Sequence, residues 1–174
     1  DSTRTIVNQV EELKRLVNEF GQFARQAQGE KRSHDLNALV AETLPLFSQS
    51  RPEIAMRFES DPSLPRIEIH RESVKRALIN LLDNAVAAVS GEIGDTDATS
   101  RPREVVVRTH YDPALARVCL EVLDSGPGVP AESRARIFEP YYSTRAGGTG
   151  LGLAIVASIA ADHRAFVRYY DNYP

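Results

Sequence analysis

The sequence predicts an α/β domain led in by one long α-helix, on three observations. Residues 71–90 carry Leu78, Leu81, Leu82, Ala85 and Val89 as an apolar stripe at helical spacing. A second apolar helical run, residues 151–161, opens directly out of a glycine cluster. Around these helices lie short segments in which apolar and polar residues alternate, the period of a half-buried strand. The chain of 174 residues suits one compact domain with an appendage and leaves no room for a second full domain. A net charge of −3 with no basic cluster argues against nucleic acid as a partner. The single cysteine, Cys119, cannot form an intrachain disulfide and reads as a buried thiol in a strand. No stretch approaches the apolar length needed to span a membrane, and no signal peptide is visible.

The elements follow in order. Residues 3–28 read as a helix whose Ile6, Val10, Leu13, Val17, Phe20, Ala24 and Ala27 make a heptad-like seam. On pattern alone it could pack on its own domain or pair with another helix. The chain starts inside this pattern, so it reads as part of something longer. A helix over 35–49 is ended by Ser-Arg-Pro at 50–52. Ile54, Met56 and Phe58 alternate with Glu53, Ala55 and Arg57 in a strand over 53–59. A turn at 61–65 leads to a short strand at 66–69 and then to the helix at 71–90. Residues 91–102 are polar and glycine-containing, a surface loop. Strands at 104–110 and 117–123 are joined by a turn at 111–114, and the second delivers Asp124 at its end. A last strand is expected over 166–170, and no internal repeat is apparent.

The chemistry is concentrated in residues 124–153. Glycines at 126, 128, 147, 148, 150 and 152 bracket a polar loop with an aromatic centre. A glycine-rich turn feeding a helix N-terminus is an anion site, because the first amides are unpaired and the helix dipole is positive there. The spacing matches neither a Walker loop nor a Rossmann fingerprint. The long segment between the two glycine clusters can fold over a ligand as a lid. Upstream, Asn80 and Asn84 stack on one side of their helix at the edge of the apolar stripe. Asn is a poor helix-interior residue, so the pair reads either as a solvated polar edge or as polar atoms wanted at a site. Asp124 before Ser-Gly is by itself a common turn arrangement.

In this order, N-L-L-D-N-A at 80–85, D-S-G-P-G at 124–128, I-F-E-P-Y-Y-S-T-R at 137–145 and G-T-G-L-G-L-A-I-V at 148–156 resemble the four boxes of the histidine-kinase ATPase superfamily. Within it, the chain most resembles bacterial two-component sensor kinases of the nitrogen-regulation, NtrY-like branch. The likeness runs from about residue 33 to the C-terminus. It implies a two-layer α/β sandwich (the Bergerat ATP-binding fold) over residues 33–174. Residues 1–29 would be the second helix of a dimerisation and histidine-phosphotransfer hairpin, and 29–33 the connection. Relatives carry one more strand after 166–170, so the sheet would lack an edge.

The resemblance also implies roles. Asp124 would accept a hydrogen bond from the exocyclic amine of adenine and reject guanine, while Gly126 and Gly128 let the backbone pass the base. Asn84 would be the Mg2+ ligand, and Asn80 would hold water or phosphate. Arg145 and the amides of Gly148, Thr149, Gly150, Leu151 and Gly152 would bind the phosphates, making Asn80, Asn84 and Arg145 the catalytic set. Thr149 would hold a water against the base, or equally cap the helix. Phe138 reads as a lid latch or a plain core residue. Hydrolysing relatives have Glu where Asn80 stands, which favours phosphoryl transfer over hydrolysis.

Two features depart from the family. Ala87 and Ala88 stand where many sensor kinases have a basic and an aromatic residue, and His163-Arg164-Ala165 replaces H-G-G. None of His34, His70, His110 and His163 lies in the acceptor context H-E-x-x-N-P, so all four read as structural or surface residues. The expected function is that of the ATP-binding catalytic domain of a sensor histidine kinase. It would pass the ATP γ-phosphate to a histidine on another segment, for relay to a response-regulator Asp. Expected partners are ATP or ADP, the dimerisation helix of a second copy and a response regulator. The expected setting is the cytoplasmic side of an inner-membrane sensor. A nucleotide-sensing module without phosphotransfer is the alternative.

Overall fold

The computed structural model describes residues 30–91, 102–145 and 148–172. The helix read over 3–28 lies outside the described residues, as does most of the loop expected at 91–102. Among the described residues eight elements follow in chain order: β1 (Arg32–His34), α1 (Leu36–Ser50), β2 (Ala55–Glu59), β3 (Ile67–Ile69), α2 (Arg71–Val89), β4 (Glu104–Asp112), β5 (Arg117–Asp124) and α3 (Gly152–Asp162). The described chain is thus mixed α/β.

Asp35 starts α1 because its carboxylate accepts from the Ala38 amide at 3.1 Å, satisfying one of the first unpaired donors. The main sheet runs in the order β2-β4-β5, with β2 parallel and β5 antiparallel to β4. Phe58 pairs with Val107 in register, and Val105 with Asp124. The alternation read from the sequence holds on β2, where Met56 and Phe58 turn inward while Ala55, Arg57 and Glu59 are exposed. Leu39, Val40 and Leu44 of α1 and Leu78, Leu82, Ala85, Val86 and Val89 of α2 meet Val105 and Val107 in a single core. Met56, Phe58, Leu120 and Val122 pack on the same cluster, so both helices cover one face of the sheet. Burial of this apolar stripe, more than helix propensity, holds α2 in place.

Some expectations need correction. The connection read at 29–33 runs into β1, which pairs antiparallel with β3 through Ser33 and Glu68. Three residues without alternation give no strand signal; the partner supplies it. The β4–β5 turn falls after Asp112, whose carboxylate accepts from the Ala114 and Leu115 amides, so β4 is longer than expected. Cys119 is half-buried, not buried; its thiol pKa is raised by that partial burial and by the nearby Glu121 carboxylate.

The last strand expected at 166–170 does not form. Side chains, not backbone groups, tie this segment to β5: the Tyr170 hydroxyl donates to Glu121, and the Asn172 amide donates to the Asp124 carbonyl at 3.4 Å. A cavity of about 440 Å³ separates the two backbones. Two of the four histidines join α2 to α3. The His70 amide donates to Nε2 of His163 at 3.0 Å, and Nδ1 of His163 lies 2.7 Å from the Ile159 carbonyl.

Candidate functional site

The boxes converge on one cavity of about 890 Å³ between α2, the end of β5, the segment 128–145 and the start of α3. Arg76, Asn80, Asp83, Asn84 and Ala87 line it from α2 at intervals of three and four residues, one side of a helix. Leu78 and Leu82 on the other side are buried in the core and fix the rotation of α2. The Asn80 Nδ2 donates to the Arg76 carbonyl at 3.0 Å, which turns its Oδ1 toward the start of α3. That oxygen stands 3.3 Å from where a Cβ on Gly152 would lie.

Asp124 sits where β5 ends. Burial pushes its carboxyl above the usual aspartate range, and the Gly126 amide, donating to Oδ1 at 2.9 Å, pulls it part of the way back. A Cβ at Gly126 would fall 2.7 Å from the Ala88 Cβ, so this loop rests directly on α2. Ala88 therefore does a packing task that an aromatic side chain there could not do without moving the loop. Gly126 itself faces the smaller neighbouring cavity, which shares Asp124 with the larger one.

The segment between the glycine clusters is held mainly by hydrogen bonds. The Tyr142 hydroxyl donates to the buried Ser133 Oγ at 2.7 Å, and the Arg136 guanidinium lies 4.3 Å from the Tyr142 ring centre. The Tyr141 amide donates to the Gly150 carbonyl at 3.0 Å. Gly150 has φ +67°, and a Cβ there would lie 2.5 Å from the Tyr141 carbonyl carbon, so only glycine allows the two segments to touch. Ile137 and Phe138 are half-buried and line the cavity. Tyr141 is 65% exposed, with φ 65°.

The start of α3 forms the anion-favouring end of the cavity. Its N-cap, Leu151, makes no side-chain cap bond, and no acidic residue stands in the first turn. The first amides are thus left for an external acceptor. The Thr149 hydroxyl accepts from the Leu151 amide at 3.4 Å, a local turn contact and not an N-cap. Burial raises the Asp83 carboxyl pKa, and the guanidinium of Arg145, on the exposed rim, pulls it part of the way back.

Of the residues singled out in the sequence, Asn80, Asn84, Asp124, Gly128, Arg145, Gly148, Thr149, Gly150 and Gly152 line the large cavity. Gly126 and Leu151 do not, and the Leu151 side chain is buried at 1% exposure. Sequence reasoning missed Arg76 and Asp83, which the helical period of the Asn pair would have found. It also missed Tyr169, which reaches the site only through the tertiary fold.

The donor set can be tested against a divalent cation. Asn80 and Asn84 offer neutral oxygens suited to a hard cation. Among the described residues, no group of three acidic, His or Cys side chains could hold a metal by itself. The residues fit a magnesium ion that arrives with its phosphates.

A family model for histidine kinase-, DNA gyrase B- and HSP90-like ATPases matches residues 69–173. The nitrogen regulation protein NtrY of Azorhizobium caulinodans is 36% identical over 169 residues, covering 97% of this chain and 21% of that protein. The chain therefore spans about a fifth of the length of that curated relative. Among solved structures, full-length ShkA in complex with AMPPNP is similar with a TM-score of 0.69 at 28% identity, covering 92% of this chain and 34% of that one. The histidine kinase ThkA in complex with the response regulator TrrA is similar with a TM-score of 0.68 at 26% identity, covering 92% and 43%.

Proposed function

Since the chain belongs to the histidine kinase-, DNA gyrase B- and HSP90-like ATPase family, as the ATP-binding catalytic domain of a two-component sensor histidine kinase, we propose that its cavity presents Mg-ATP for phosphoryl transfer to a histidine on a dimerisation hairpin. The observation that carries this is the convergence of Asn80, Asn84, Asp124, Arg145 and the start of α3 on one cavity. Asp124 accepts from the adenine amine through Oδ2, since Oδ1 is engaged by Gly126. The phosphates extend toward Gly148–Gly152, where the unpaired amides of α3 and the Arg145 guanidinium take up their charge. Asn84 is the magnesium ligand and Asn80 holds water or phosphate beside it; the ion supplies charge neutralisation across the phosphates.

A neutral amide at position 80 cannot act as a general base toward water, so transfer to a protein acceptor is favoured over hydrolysis. In this reading residues 1–29 are the second helix of the hairpin, residues 33–174 are the catalytic domain, and the phosphoryl group passes on to a response-regulator Asp. The ThkA–TrrA complex supports that kind of partner. The protein would work as a homodimer on the cytoplasmic side of a membrane sensor. Among the described residues no helix is long and apolar enough to cross a membrane.

Incubation with γ-labelled ATP, with and without an acceptor hairpin from the same protein, tests the reading. Label is expected only when the hairpin is present, as an acid-labile phosphohistidine. Acid-labile label on the chain alone would return His34, His70, His110 or His163 to candidacy. Nucleotide binding with no transfer to the hairpin would favour a nucleotide-sensing module.

A further inference from the structure

A set of contacts joins the base end of the cavity to the segment that follows α3. The Tyr169 hydroxyl accepts from the Val129 amide at 3.0 Å and donates to Oδ1 of Asp171 at 2.7 Å. The Arg134 guanidinium donates to Asp171 at 2.9 Å and to the Val129 carbonyl at 3.1 Å. It also lies 5.7 Å from the Tyr169 ring centre. Both backbone groups of Val129 are therefore engaged, one by Tyr169 and the other by Arg134. Val129 follows Gly128, which has φ +77° and whose Cβ, if present, would stand 3.4 Å from the Tyr169 hydroxyl. Three residues on, Asn172 reaches the Asp124 carbonyl at 3.4 Å. The loop 124–129 is thus gripped at both ends by 169–172.

We propose that Tyr169 is a positioning residue for adenine recognition: with Asp171 and Arg134 it pins Val129 and so holds the loop 124–129 against the base end of the cavity. The inference rests on the reading of Asp124 as the adenine acceptor. A carboxylate discriminates adenine from guanine only while its oxygen stays at hydrogen-bond distance and angle, and hydrogen bonds weaken steeply with misalignment. Asp124 is anchored on β5, but the loop after it has no sheet partner of its own beyond the Ser125 contact with Glu104. The clasp supplies the missing restraint. It lies at the base end, away from Gly148–Gly152, so it acts on the base and not on the phosphates.

The test is calorimetry of the full chain with AMP, ADP, ATP and GTP, comparing the wild type with Tyr169→Phe, which keeps the ring and removes both hydroxyl contacts. Roughly tenfold weaker binding is expected, alike for AMP, ADP and ATP, with a fall in the ATP-to-GTP preference. Asp171→Asn, which keeps an acceptor for Tyr169 but removes the charge facing Arg134, should lose roughly threefold. Unchanged affinities and an unchanged ATP-to-GTP ratio in Tyr169→Phe would overturn the clasp while leaving the Asp124 reading intact. So would a loss confined to ATP. A wild type that binds no adenine nucleotide, or binds GTP equally well, would instead sink the Asp124 reading. Melting temperatures of both variants separate a positional effect from general destabilisation, which alone would not move the base preference.

Discussion

The two walls of the cavity are built by different means. On the α2 side, Leu78 and Leu82 are 0% exposed and Ala85 2%, so Asn80 and Asn84 ride on a helix locked into the core. Opposite it, within residues 129–145, Ser133 is the one buried residue. That wall is held by hydrogen bonds, a cation–aromatic contact and the Tyr141–Gly150 backbone contact. Apolar burial is not readily exchanged with water, whereas exposed polar contacts are exchanged at small net cost. A site with one wall of each kind keeps its polar groups in place on the first and can rearrange the second around a ligand.

The largest expected difference comes from damaging the rigid wall. Leu82→Ala should cost about 3 kcal/mol of global stability and lower the melting temperature by roughly 10 °C or more. If calorimetric melting shows only a local or negligible change, α2 is not the fixed wall. Gly150→Ala should cost about 2 kcal/mol, from the positive φ and the overlap with Tyr141 and Tyr142. Its signature differs: faster hydrogen exchange over 129–145, with the core amides unchanged. Equal acceleration in α2 would erase the contrast between the walls.

Asp124→Asn sharpens the comparison, because stability and binding should move apart. ATP affinity should fall roughly 10- to 100-fold by calorimetry. The ligand-free domain should hold or gain stability, since a partly buried charge is removed. The pH dependence carries the same opposition. Burial raises the Asp124 pKa in the folded chain, so its contribution to stability is full below the ordinary aspartate pKa and is lost as pH rises through the raised value. ATP binding needs the carboxylate, so affinity should climb across that same window. Affinity that is flat over this range would remove Asp124 from base recognition.

The smallest effect is expected from Tyr142→Phe, which removes the bond to Ser133 and should cost about 1 kcal/mol, confined to residues 129–145. A non-hydrolysable ATP analogue should slow exchange over 129–145. Unchanged exchange there would mean that the segment is not a lid.

Much of the rigid wall was legible in the chain. The stripe of α2, the alternation of β2 and the positions of Asn80, Asn84 and Asp124 follow from helical and strand periods, which local covalent geometry imposes on any neighbourhood. The glycine boxes were legible for a related reason: a position that only glycine can occupy leaves its mark in the residue itself, as at Gly150. What sequence did not reveal depends on partners far along the chain. β1 exists because β3 lies beside it, and residues 166–170 meet β5 through the side chains of Tyr170 and Asn172 without joining the sheet. Tyr141, at the aromatic centre of the loop, is exposed, with its backbone turned to meet Gly150. Tyr169 carries no local signal at all, yet it holds Val129 forty residues earlier. Periodicity determined which residues could face the cavity; only the fold decided which loop and which distant side chain close it, because those contacts exist only after the chain has folded back on itself.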